Sequence, residues 1–175
     1  MSETEERFLW GFGLRDGVIL SLIAAATASA KMILRIPLHI PGHFSIVWMF
    51  FLVLGCALVP KRGAATTLGI LTGILAVLLG FGHEGVLVFF KWAIVGLTLE
   101  LFQVFMPTFA QRWYLSLLAG GAAACVKVLF SLFLFYVLGY EQEALQMAAY
   151  IAVTLNLVFG AIGGVLGWAL WKRIS

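Results

Sequence analysis

The stretch "PGHFSIVWMFFLVLGCALVPKRGAATTLGILTGILAVLLG", residues 41–80, decides the fold. It holds two apolar runs, 44–60 and 64–80, divided by Pro60-Lys61-Arg62-Gly63. Each run is long enough to cross a hydrocarbon core of about 30 Å, which takes roughly 17–25 helical residues. Helix is the form expected, because an open strand in lipid leaves its backbone groups unsatisfied and the alternation of a membrane barrel is missing.

The rest of the chain repeats the pattern. Of 175 residues, 63% are hydrophobic and 11% charged, with a mean hydropathy of +1.07. A soluble domain carries about 25% charged residues, so the sequence predicts an all-α integral membrane protein. Six transmembrane helices in one bundle are expected, over 16–34, 44–60, 64–80, 86–105, 114–138 and 147–171. Prolines, glycines and charges mark the breaks, as at Arg35 to Gly42, Phe81 to Gly85, Pro107 to Arg112 and Gly139 to Glu143. No soluble domain fits around them, and residues 1–175 read as a single transmembrane domain. The acidic opening "MSETEER" does not read as a signal peptide.

Orientation follows from the basic residues. With the N terminus inside, the cytoplasmic segments carry Arg7, Arg15, Lys61, Arg62, Arg112, Lys172 and Arg173. The outer face carries Arg35, with Lys31 at its edge, and the acidic Glu84, Glu141 and Glu143. The positive-inside rule therefore places both termini in the cytoplasm of a cell bounded by this inner, or plasma, membrane. The same asymmetry accounts for the net charge of +3 without a nucleic-acid partner. Cys56 and Cys125 fall inside apolar spans, at no metal-ligand or disulfide spacing, and read as buried small hydrophobes.

Candidate binding residues gather on the expected outer side. His39, His43 and His83 are the chain's three histidines, and all fall in outer segments. His39 and His43 are four residues apart, but Pro37, Pro41 and Gly42 break a continuous helix, so the segment reads as a shaped loop. Two readings stay open for these side chains. They could cap helix ends and donate to carbonyls, or, with Glu84 nearby, hold nickel, cobalt or zinc. Within the spans, Lys91, Lys127 and Asn156 stand where a charge costs about 2.5–3.5 kcal/mol at the bilayer centre, so they are expected to face the bundle interior or a wet cavity. Lys91 is shallow enough to snorkel instead. Glu100 is out of phase with Lys91 and is expected to pair with a neighbouring helix or subunit. Trp48 and Trp92 could stack on a planar ligand, but interfacial anchoring is the leading expectation for both.

Small residues form a further pattern. In "SLIAAATASAKMIL" of the first span, Ala24 and Ala28, and Ala26 and Ala30, are paired at four-residue spacing. Gly69 with Gly73, Gly160 with Gly164, and Gly163 with Gly167 do the same in the third and sixth spans. In lipid such stripes let helices approach closely, and most should serve packing within the chain.

Six helices, the first-span alanine pattern and the run over 41–80 together resemble the substrate-binding S-component of an energy-coupling-factor (ECF) transporter. The piece "VPKRGAATTLGILTGIL", a basic turn followed by a small-residue helix, is similar to the corresponding turn in vitamin-specific members. The resemblance implies a subunit that binds a scarce micronutrient from outside and docks through its first helix on a transmembrane coupling subunit, driven by a pair of cytoplasmic ATPases. On that likeness Ala24, Ala26, Ala28 and Ala30 form the coupling surface and the 35–43 loop is part of the pocket lid. The substrate-contacting set is His39, His43, Trp48, His83, Glu84, Lys91, Lys127 and Asn156. No cofactor is implied, and without a Gly-x-x-x-x-Gly-Lys-Ser/Thr loop the chain needs its partners for ATP hydrolysis.

The metal-specific members carry a histidine motif at the very N terminus, whereas here it follows the first helix. Two lysines beside the pocket also oppose a divalent cation. A small, vitamin-like organic micronutrient bearing a carboxylate or phosphate is thus the leading expectation, and nickel or cobalt uptake through His39, His43 and His83 the alternative. A structural or assembly subunit of a membrane complex is a third reading. An enzyme is not expected: His83 and Glu84 would be its acid–base candidates, but no catalytic motif accompanies them.

Overall fold

The computed structural model describes residues 12–33, 42–81, 85–137, 139 and 142–175, the last of these by backbone alone over 142–148. The described residues form six α-helices: α1 (Leu14–Ile33), α2 (Ser45–Leu58), α3 (Ala64–Leu78), α4 (Val88–Phe105), α5 (Trp113–Val137) and α6 (Gln142–Ile174). Short 3-10 turns over Gly85–Leu87 and Phe109–Gln111 lead into α4 and α5. The helical segments over Leu14–Ile33, Gly85–Phe105, Trp113–Val137 and Ala149–Ile174 are long and apolar enough to cross a membrane. The chain is a multi-pass membrane protein. α2 and α3 are apolar but only 14 and 15 residues long.

Helix ends fall close to the sequence breaks except in α6. That helix begins at Gln142 and ends at Ile174, whereas the apolar pattern placed the span over 147–171. The reason is propensity: Gln142, Glu143, Ala144, Leu145 and Gln146 are strong helix formers, so the helix continues beyond the apolar stretch.

α2 occupies the centre, packed on α1, α3, α5 and α6. Its run from Leu52 to Ala57 is buried on every side, as expected of a helix that is apolar all round. α3 pairs with α4, and α5 with α6. Glycine makes these approaches possible. A β-carbon on Gly69 would lie 2.7 Å from Gly96 Cα, and one on Gly96 would lie 2.8 Å from the Ala65 carbonyl oxygen. On α6 the four expected glycines divide between two neighbours: Gly160 and Gly164 face α5, Gly163 and Gly167 face α2.

Polar bonds clamp one end of the bundle. Asp16, in the first turn of α1, accepts from the Gly13 amide at 3.0 Å and pairs with Lys61 at 2.6 Å. The Lys61 carbonyl accepts from Gln103 Nε2 of α4 at 2.9 Å, and the carbonyl of Gln111 accepts from Trp168 Nε1 of α6 at 2.9 Å. Three helices, α1, α4 and α6, are thereby joined to the α2–α3 and α4–α5 connections at this end, which also carries Arg15, Arg62, Arg112, Lys172 and Arg173.

Glu100 belongs to the same clamp. Its carboxylate accepts from the Gly63 amide at 2.6 Å and, more weakly, from the Thr66 amide at 3.4 Å. These amides open α3, whose orphan donors and positive dipole end favour an anion. Gly63 takes φ +87, which lets the chain turn into the helix here. Glu100→Ala is expected to cost about 1.5–3 kcal/mol, the scale of a hydrogen bond to a charged group, measurable by chemical unfolding in detergent.

Candidate functional site

The other end gathers aromatic rings and ammonium groups. Trp48, in the first turn of α2, and Trp92, in the second turn of α4, stack with centroids 3.9 Å apart and planes at 19°. They are 4% and 3% exposed. This corrects the expectation of interfacial anchors, since a Trp at the headgroup level would show one ring face to lipid. The fold brings them together through α3: Gly73 lies under Trp92, where a β-carbon would come 3.2 Å from Trp92 Cβ, and Gly69 lets α4 settle onto α3 just below.

Two lysines stand against this stack and a third lies farther off. Lys31, in the last turn of α1, places Nζ 5.1 Å from the Trp48 centroid and 4.5 Å from that of Phe81. Lys127, in the middle of α5, stands 5.4 Å from both indole centroids. A point equally distant from two stacked rings lies beside their rim, not above one face, so the indoles give this ammonium little of their negative π surface. Lys91 lies 5.7 Å from the Phe135 ring. Lys31 and Lys91 both act electrostatically on Lys127.

Asn156 is buried and engaged with the protein itself. Its Oδ1 accepts from Ser45 Oγ, and its Nδ2 donates to the Ala152 carbonyl at 2.8 Å. Gly42, at φ +87, packs directly over this amide, and a β-carbon there would come 2.6 Å from Asn156 Nδ2. The bond fixes where α2 starts, and so where Trp48 sits. His43 packs its ring on Phe44 with centroids 4.3 Å apart.

His39, His83 and Glu84 lie outside the described residues, as does the loop over 34–41. Among the described residues no three His, Cys, Asp or Glu side chains come together as a metal site would require.

The alanine pattern divides. Ala24 and Ala28 are 0% and 3% exposed, turned into the bundle, while Ala26 and Ala30 are half-buried. Ala24 and Ala28 therefore cannot belong to an outward coupling surface, which corrects that part of the expectation. α1 packs on α2 and α3, and these two alanines are what allow it to. The outward face of α1 is instead carried by Ser21, Leu22, Ala25 and Ser29.

Of the site residues expected from sequence, the structure unites Trp48 and Lys127 and sets Lys91 within electrostatic range. Three residues of this cluster, Lys31, Phe81 and Trp92, stand outside the substrate-contacting set expected from sequence. Lys31 carried no distinguishing signal, since a basic residue in the last turn of a helix is ordinary.

No family model matches the chain, and no curated protein matches it. A solved structure does. The crystal structure of an S-component of an ECF transporter superposes with a TM-score of 0.71 at 20% identity, over 93% of this chain and 85% of that one. The chain thus has the S-component fold.

Proposed function

We propose that the chain is the membrane-embedded substrate-binding subunit of an ECF-type transporter in the plasma membrane, taking up a small organic micronutrient. The observation that carries this reading is the pair Lys31 and Lys127 beside the buried Trp48–Trp92 stack in a chain of S-component fold. Indoles supply apolar contact area, and ammonium groups orient a polar substrate. Under this reading residues 1–175 form one domain with six crossings. The clamped end with its excess of Lys and Arg faces the cytoplasm, so the indole end opens outward. His39, His43, His83 and Glu84 lie in the outer segments and contribute polar contacts, while Asn156 positions α2.

ATP hydrolysis comes from partner subunits, a transmembrane coupling protein and a pair of cytoplasmic ATPases. The first helix docks on the coupling protein through its outward face, with Ala25 and Ser29 at the centre and Ala26 and Ala30 at the edge. Close packing of that face explains the small Ser21, Ala25 and Ser29 on it, where lipid alone would accept leucine. Ala25→Trp and Ser29→Trp are expected to reduce uptake into cells at least tenfold while ligand binding to the purified subunit stays within twofold. Undiminished uptake in both variants would overturn the docking surface.

A further inference from the structure

The α5–α6 pair carries a groove on its lipid-facing side. It has a volume of about 370 Å³ and is lined wholly by apolar side chains, among them Leu117 of α5 and Val158, Ala161, Ile162 and Leu166 of α6. From Leu157 to Leu166 it follows α6 for about 13 Å. One end of it points to the basic end of the bundle. Gly164 meets Ser116, Gly160 meets Gly120, and Trp168 Nε1 donates to the Gln111 carbonyl, so the helices are antiparallel and the start of α5 is level with the last turns of α6. Helical spacing carries the groove face on to charge. Ala161, Val165, Trp168 and Lys172 follow one another at steps of three and four residues, as do Ile162, Leu166, Ala169 and Arg173. Lys172 Nζ lies 5.3 Å over the Trp168 ring. On α5, the exposed Trp113 and Tyr114 precede Leu117 by four and three residues, and Arg112 Nη1 donates to Tyr114 Oη at 2.9 Å. Among the described residues none of Arg112, Lys172 and Arg173 pairs with a carboxylate.

We propose that this face binds one phospholipid with an anionic headgroup, an acyl chain lying in the groove and the phosphate among Arg112, Lys172 and Arg173. The two halves of the site match the two halves of the molecule. Exposed Trp and Tyr mark the level of the headgroups in a membrane protein, and Trp113 and Tyr114 set Arg112 at that level. Basic residues clustered between helices there attract anionic headgroups. Cations that only complement a helix dipole need no groove leading to them. A protein partner fits this face poorly. In lipid, helices associate through small residues, whereas the exposed rim here is Leu117, Val158, Ile162 and Leu166, whose branched side chains leave a channel for an acyl chain. α1 packs on α2 and α3, so the groove lies on other helices than the proposed docking face. The lipid site is independent of the substrate that the chain takes up.

The test is native mass spectrometry of the full chain, delipidated in detergent and supplied with equal amounts of phosphatidylglycerol and phosphatidylcholine of identical acyl chains. One phosphatidylglycerol per chain should be retained, in preference to phosphatidylcholine by about fivefold or more, the scale of a single basic contact. Arg112→Gln combined with Arg173→Gln should remove that preference. Arg15→Gln combined with Arg62→Gln takes the same charge from the same end of the bundle, away from the groove, and should keep it. Ile162→Trp, which puts a ring into the groove and leaves every cation in place, should lower the retention of phosphatidylglycerol. All five positions are exposed, where substitutions change stability little. Equal retention of the two lipids, equal losses in the two arginine pairs, or retention unchanged by Ile162→Trp would overturn the proposal. Glycerol phosphate, which carries the headgroup charge without a chain, should not displace the lipid. Displacement at equal concentration would make the site one for a soluble phosphate and overturn the proposal as well.

Discussion

Gly164→Ala is expected to lower the stability of the folded chain by about 2–3 kcal/mol, the upper part of the range for overpacking a close interface. The added methyl would collide with the Ser116 carbonyl oxygen of α5 and reach Gly120 Cα at 3.4 Å. Neither atom can yield cheaply. Ser116 is fully buried, and its hydroxyl is tied to the Phe109 carbonyl at 3.0 Å, so moving its backbone would pull on the α4–α5 connection. Opposite it, a β-carbon on Gly120 would strike the Gly160 carbonyl, so both helices meet through bare backbone. In lipid this contact is a main source of helix association, because no hydrophobic force drives two apolar helices together. Gly17→Ala is the matched control: nothing lies within 4 Å of its β-carbon position, and removing a helical glycine is neutral or stabilising. Steric-trap or denaturant unfolding in detergent measures both. A loss below 0.5 kcal/mol at Gly164, ~0.5 being the scatter of surface substitutions, would mean that the α5–α6 contact is looser than the structure has it.

Lys127→Met should weaken ligand binding by roughly 30-fold to 5000-fold, corresponding to the 2–5 kcal/mol lost when one partner of an enclosed charge pair is removed. Stability should stay the same or rise. Methionine fills a similar volume with an unbranched, adaptable chain, and it removes the cost of keeping an ammonium beside Lys31 and Lys91. This combination separates a ligand-contacting lysine from a structural one, whose loss would reduce both. Binding isotherms and melting curves on the same preparations supply the two readouts.

The helical segments were legible because the punctuation is chemical. Pro60 to Gly63, Phe81 to Gly85 and Pro107 to Arg112 interrupt apolar runs with residues that end helices or prefer water, and the helices stop there. The glycine pairs of α3 and α6 were legible as packing surfaces for a similar reason, since four-residue spacing places them on one helix side. Facing was not legible. The first helix offers small residues at positions 24 and 28, 26 and 30, and 21, 25 and 29, and only the packing of α1 against α2 and α3 decides that Ala24 and Ala28 turn inward.

The site was half legible on the same principle. A lysine deep in α5 announces itself by its cost, and Lys127 was found that way. The Trp48–Trp92 stack joins residues on separate helices brought into register by Gly69 and Gly73, which no local pattern reveals. Lys31 sits at a helix end, where a cation is ordinary, so its place over Trp48 and Phe81 emerges only from the fold. Asn156 carried a signal of burial but not of partner: a polar group in a membrane helix can serve a ligand or a neighbouring helix, and here Ser45 takes its oxygen.

The most direct test of the substrate-binding role is native mass spectrometry of the full chain, gently extracted from the membranes of its own host, beside the Lys127→Met variant. One organic molecule of a few hundred daltons per wild-type chain, absent from the variant, is the expected result. A wild-type chain that carries no adduct, or an adduct that persists unchanged in Lys127→Met, would contradict the account.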